Sequence, residues 1–463
     1  MNEKLGKYIL FILLSMACIT GLYAMVQFLS VNHIRSDEFL SFMHSQVSTH
    51  KSSTQIIKNI HQGADNSYVH AVLLYQWFSV FGETVFAQRL LSFVFWLIGG
   101  FFLWKLFATQ SKSTSQKLLF WSLIQFSNLG FWMANDGRFY SIHYALSLCL
   151  FYVLIQYVNS KKSTYLILMF GLTLMAFLNA ALSIVSVLLL VFVCGMMWAK
   201  KYVNTRQFLL SALSVLLPTL MYFLCFKIQH FHHHFSTWMF SKSTSDGMLL
   251  QDFISTPFRF IAIFKIPFLN DQIGVVLTIV LLVAMVLFNN NKKHTPGFNP
   301  WNVLACAVSL LLIGQLLAYV IMGWPLWPYR YYAGIFWILP FWLYQRVDCS
   351  HHKITSYLAV FISIGFGTRM MSEVGKIAVR KNEIPVAATT KTGYVEYFEN
   401  YKTFAKLGEQ YIRYPEVRGR LFLVLDDLST ERNGYFSLLK KQGEPLQTIS
   451  PHEVDSTFIL IKD

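Results

Sequence analysis

Apolar runs of about 17–25 residues, the length that crosses a bilayer as a helix, recur from Tyr8 to about residue 371. Polar and charged positions collect in the gaps between them. The runs fall at 8–30, 86–107, 117–134, 139–158, 164–179, 181–199, 207–226, 273–289, 301–322, 330–347 and 354–371. Length and periodicity together predict an all-α polytopic membrane protein with about eleven transmembrane helices. The two runs that meet at Asn179 read as two short helices or one bent hairpin. The first run follows Lys4 and Lys7, exceeds the core of a cleaved signal and lacks a small-residue cleavage site. It reads as a retained signal anchor.

Three stretches depart from this pattern. The first loop, 31–85, has apolar positions at helical spacing near Phe39 to Val47 and again from Tyr68 to Phe78. The second of these is too short to span and suits a helix lying in the membrane interface at 68–80. The second long loop, 227–272, holds a histidine cluster and an amphipathic piece with Arg259 and Lys265. From about 373 charge becomes frequent. Arg420 to Leu425 reads as a buried strand, Asp426-Asp427-Leu428-Ser429 as a helix start, and Thr457 to Ile461 as a closing strand. The expected organisation is a membrane module over 1–372 and a small outer α/β domain over 373–463.

Charge orients the spans. Lys4, Lys7, Lys112, Lys117, Lys161, Lys162, Lys200, Lys201, Arg206, Lys292, Lys293, Arg346 and Lys353 fall on one face when the spans are counted in order. The rule that basic loops stay inside puts the N-terminus in the cytoplasm and the C-terminal domain outside, in the periplasm of a bacterial inner membrane. The same distribution accounts for the net charge of +15 without nucleic acid; no basic motif of a nucleic-acid binder is present. Charged residues make up only 13% of the chain against 55% hydrophobic, where a soluble domain carries about 25% charge. The six cysteines are scattered along spans or their ends, with neither a disulfide framework nor zinc spacing.

Four clusters can carry chemistry. Asp37 and Glu38 stand just past the first span, on the outer face, where carboxylates serve either as solvated charges or as a general base or metal ligands. Asn135 to Tyr140 joins spans three and four on the same face. Its Asp136 is either a helix cap or a second acid of one site, held close to Arg138. Trp327 to Tyr332 opens span ten; Arg330 there is either a snorkelling residue in an aromatic belt or a partner for phosphate at headgroup depth. His230, His232, His233 and His234 form a loop cluster that can hold a metal, although no partner acid is identifiable.

These residues resemble the GT-C fold glycosyltransferases that use lipid-phosphate sugars, in the branch related to protein O-mannosyltransferases and lipid A aminoarabinose transferases. Asp37-Glu38 after span one is similar to the family's Asp-Glu pair. Asp65 through Phe81-Gly82-Glu83, then Phe86-Ala87-Gln88-Arg89-Leu90-Leu91-Ser92, resembles the family's interfacial helix, turn and second-span start. Asp136-Gly137-Arg138-Phe139-Tyr140-Ser141 resembles the acid-x-Arg-x-Tyr stretch, and Arg330-Tyr331 with Pro340 the late Arg-Tyr…Pro helix. One departure stands out: where many relatives have His-Pro-Pro, this chain has Asn66-Ser67-Tyr68, with His70 one helical turn on.

The resemblance implies transfer of a sugar from a polyprenyl-phosphate donor to a lipid, glycan or protein acceptor at the outer face, with inversion. Asp37 is the expected base. Glu38 and Asp136 are expected to position the acceptor, the sugar or a divalent cation. Arg138, Arg330 and Tyr331 are expected at the donor phosphate. His70, His232, His233, His234, Arg259 and Lys265 are further candidates for the cavity. Two other classes stay open: a transporter or flippase of lipid-linked sugars, which needs polar groups inside several spans, and a non-catalytic assembly subunit.

Overall fold

The computed structural model describes residues 3–29, 52–62, 67–110, 112–224 and 329–346, single positions between 38 and 47, part of 302–311, and the pairs 421–422 and 458–459. Asp37, His232, His233, His234, Arg259, Lys265, the expected spans at 273–289 and 354–371, and most of 373–463 lie outside the described residues.

Among the described residues the fold is mostly helical. Helix α1 covers Glu3–Leu29. Helix α2, Ser53–Gln62, is one the apolar runs do not predict. It is a short amphipathic turn that seats Ile56 and Ile60 against Tyr68 and Ala71 of the next helix, α3. Helix α3, Tyr68–Phe81, occupies the expected interfacial stretch. Its 14 residues extend about 21 Å, short of a bilayer core. Tyr68, Ala71, Leu74 and Phe78 face inward, while Val80 and Phe81 are exposed. The helix stops at Gly82, which gives its N–H to the Phe78 carbonyl and takes φ +80, a positive value that suits glycine.

Helix α4, Val85–Ala108, starts where the Thr84 hydroxyl accepts from the Ala87 N–H. Then come α5, Thr114–Gln125, α6, Asn128–Asn135, α7, Tyr140–Ser160, α8, Thr164–Asn179, α9, Ser183–Ala199, and α10, Thr205–Tyr222. A 3-10 turn, η1, spans Tyr329–Tyr332, and α11 runs Ile338–Arg346. Among the described residues, α4 and α7 are the two helices long and apolar enough to cross a membrane; α8 and α9 are shorter apolar helices. Leu421–Phe422 (β1) pairs in parallel with Phe458–Ile459 (β2), inside the two stretches read as strands.

Two expected spans are corrected. The run 117–134 is not one helix but α5 followed by α6. Hydropathy is continuous across Phe126, but Ser127 caps the second helix by accepting from the Gly130 N–H at 3.0 Å. A Cβ on Gly130 would lie 2.3 Å from the Gln125 carbonyl oxygen, so only glycine lets the second helix start so close to the first. Phe126, in the break, seats against Gly21 of α1, where a Cβ would meet the ring at 2.6 Å. It also packs 5.9 Å from the rings of Trp96 and Trp121. The run 330–347 likewise opens on η1 and a non-helical turn, and becomes α-helical only at Ile338. Pro340 falls in the first turn of α11, where its missing N–H has no partner to lose.

Helix α7 sits at the centre, buried on nearly all sides, and packs most extensively on α4. Paired glycines allow the approach. Gly99 faces the Tyr144 ring and Gly100 faces the Gln125 amide, each closer than a Cβ would permit. The Trp121 indole donates to the Gly100 carbonyl at 2.8 Å, and Gln125 donates to the Tyr144 hydroxyl at 3.0 Å. Small residues at such contacts let helix backbones close in, and side-chain hydrogen bonds then lock them.

Candidate functional site

The start of α4, the end of α6 and the start of α7 meet at one buried polar junction. Arg89, near the start of α4, is fully buried and grips Glu38 with two parallel hydrogen bonds. Nε donates to Oε1 at 2.9 Å and Nη2 to Oε2 at 3.0 Å. Its third nitrogen reaches the Phe28 carbonyl at 3.4 Å, and its guanidinium lies 5.3 Å over the Phe28 ring. The Gly137 N–H donates to the same Glu38 Oε1 at 2.8 Å. An arginine inside an apolar helix needs such a partner, because removing either charge from a buried pair leaves the other uncompensated.

The neighbouring Gln88 closes the junction from the other side. Its amide donates to the backbone carbonyls of Glu38 and Gly137 at 2.7 and 2.8 Å. Gly137 has no room for a side chain: a Cβ would lie 2.5–2.6 Å from the Gln88 side chain. Ser92 donates to the Arg138 carbonyl at 3.3 Å, and Arg138 reaches the Ser41 hydroxyl at 3.2 Å with its guanidinium 5.3 Å over the Phe139 ring. The loop 136–138 is therefore fastened to α4 and to residues 38 and 41 at once.

Asp136 is buried and extended at the end of α6, and its carbonyl accepts from the Arg138 N–H at 2.7 Å. It does not cap α7, which starts at Tyr140 with Phe139 before it. Glu38, expected to position a substrate or a cation, has both carboxylate oxygens engaged by Arg89 and Gly137. Its geometry is that of a residue that positions the loop carrying Asp136. Among the described residues, no group of three or more His, Cys, Asp or Glu is placed to hold a metal.

The third stretch also arrives at α7. Tyr331 is half-buried and Tyr332 buried beside Arg330, whose backbone forms part of η1. Just beyond, Gly334 lies against His143 of α7, with Ser147 and Ser186 alongside. Residues 38 and 136–138 thus meet at the start of α7, and residue 334 meets the same helix little more than a turn further on. His70 is buried on α3, which packs on α4 and α8. Burial pushes the Tyr68 phenol on the same helix above its ordinary value, so it stays a protonated donor.

Sequence reasoning quoted Gln88 and Arg89 within the resemblance but gave neither a role, and passed over His143. A signal was available for two of them, since an ionisable residue inside an apolar helix marks a partner or a site. No protein-family model matches the chain, and neither does any curated protein or solved structure.

Proposed function

We propose that this chain is a polytopic membrane glycosyltransferase of the GT-C kind, with about eleven spans and an outer active site, moving a sugar from a polyprenyl-phosphate donor to a lipid, glycan or protein acceptor. The observation that carries the reading is the junction itself. The residue after Asp37 and the loop bearing Asp136 and Arg138 are joined by a 2.8 Å hydrogen bond beside the first turns of α4 and α7. The apolar exteriors of α8, α9 and α10, with Ile167, Leu188 and Leu213 exposed, are of a kind suited to hydrocarbon rather than water.

In this reading Asp37 removes the proton from the acceptor hydroxyl as its oxygen attacks the anomeric carbon. The bond from that carbon to the phosphate oxygen breaks, and polyprenyl phosphate leaves with the electron pair. A phosphate is already a good leaving group, so one base and cationic contacts to the phosphate suffice. Arg138, Arg330 and Tyr331 supply those contacts, and attack opposite the leaving group inverts the centre. Mass spectrometry of surface glycans and lipids from cells with and without the gene tests the activity. The wild-type gene restores the missing product, and Asp37→Asn lowers transfer by about 10²- to 10⁴-fold, the usual worth of a general base. Near-normal transfer by inserted, folded Asp37→Asn would remove Asp37 from that role.

A flippase is the second reading, favoured by the buried polar groups of α7 to α9: His143, Ser147, Thr173, Asn179, Ser183 and Ser186. The same comparison separates the two. A flippase changes the leaflet in which the lipid-linked sugar accumulates and makes no new glycosidic bond.

A further inference from the structure

We infer that His143, Ser147 and Ser186 form a notch that positions Arg330 by seating Gly334, and that His143 and Gly334 are positioning residues for the donor-phosphate contact. This rests on the reading of Arg330 as a phosphate ligand.

The hydrogen bonds fix how the notch is built. The Ser183 hydroxyl donates its single proton to the Ala176 carbonyl at 2.7 Å. It must therefore accept from His143 Nδ1–H, 3.1 Å away, which leaves the lone pair of the imidazole on Nε2. The ring is held in place, and its Nε2 edge meets the Cα of Gly334. A Cβ at residue 334 would lie 2.5 Å from Nε2, 3.0 Å from Cε1 and 2.7 Å from the Ser186 hydroxyl. From the other side the Ser147 hydroxyl donates to the Gly334 carbonyl at 2.5 Å, and the Trp337 indole donates to it at 2.9 Å. Gly334 is thus pinned through its carbonyl and gauged through its missing side chain.

The consequence falls on η1. Arg330 lies in the 3-10 turn Tyr329–Tyr332, and the non-helical segment to Ile338 contains Gly334. A shift at Gly334 therefore moves the turn that carries the arginine. The notch lies between α7 and α9, and α7 opens two residues after Arg138, so the notch relates the two candidate phosphate ligands to each other. Close positioning of charged contacts is what a site needs to act on a phosphate as charge develops.

The test uses the full chain in detergent, titrated with a polyprenyl phosphate and, separately, with the matching polyprenol. Binding is read by native mass spectrometry. The wild type binds the phosphate the more tightly, and Arg330→Gln removes that preference. Gly334→Ala lowers it by roughly tenfold or more, the worth of a charged hydrogen bond. Adding His143→Ala to Gly334→Ala, which makes room for the new Cβ, recovers part of it. Should Gly334→Ala fail to fold by size-exclusion and thermal unfolding, Ser147→Ala takes its place and weakens the preference less. If Arg330→Gln loses the preference and the folded Gly334→Ala or Ser147→Ala keeps it, the notch is overturned and the phosphate reading stands. No preference in the wild type overturns the two together.

Discussion

The charged junction at Glu38 and Arg89 and the neutral notch at His143 and Gly334 solve one problem in opposite ways. Each holds an irregular segment against helices in an apolar surround, near the start of α7. The junction works by charge: two fork-like hydrogen bonds, a backbone N–H on the same carboxylate, and a glutamine spanning two carbonyls. The notch works by shape: an imidazole edge and a serine hydroxyl against a residue with no side chain. A charge clamp therefore fails when a partner is removed, and a steric clamp fails when volume is added.

The largest expected effect comes from removing a partner in the junction. Arg89→Ala takes away the charge that balances the buried Glu38 carboxylate, and should lower stability by about 3–5 kcal/mol. Unfolding in detergent measures it, and Arg89→Met with Glu38→Gln should recover most of the loss. A loss of only about 1 kcal/mol would mean the pair behaves like an exposed one and the contrast fails.

Next in size is Gly137→Ala, where the junction meets its own steric limit at Gln88. Overpacking of this kind costs about 1–3 kcal/mol. Gln88→Ala in the same chain should return only part of it, because it restores space and gives up two hydrogen bonds. Full recovery would show that Gln88 is packing rather than bridge.

The smallest is Ser183→Ala in the notch. It removes the acceptor for His143 Nδ1–H and should cost about 0.6 kcal/mol, the mean worth of one such hydrogen bond between membrane helices. A loss as large as that of Arg89→Ala would make the notch as dependent on its partners as the junction.

The apolar runs located α1, α4, α7, α8, α9 and α10 to within a few residues, because a long hydrophobic helix advertises itself by length alone. They failed at Phe126 and at residues 330–337, where aromatic residues keep hydropathy high while cap chemistry and backbone room decide the geometry. Ser127 and Gly130 were in plain view, yet a serine three residues before a glycine is unremarkable without knowing what lies beside it. Within the candidate site, span counting put Glu38 and Asp136 on one face. It gave no hint that Arg89 turns back to Glu38, since that pairing joins residues 51 apart through a loop of no regular period. His143 hid inside an apolar stretch, its need for Ser183 invisible until two helices are laid together.

The interruption between α5 and α6 has a bearing on how the chain is made. Neither half is long enough to cross a bilayer alone, at 12 and 8 residues. The groups that close over Phe126, Gly21 on α1 and Trp96 on α4, both precede it in the chain. A ribosome therefore delivers the cover before the fracture, and the break between α5 and α6 can be sheltered by its elders as it emerges.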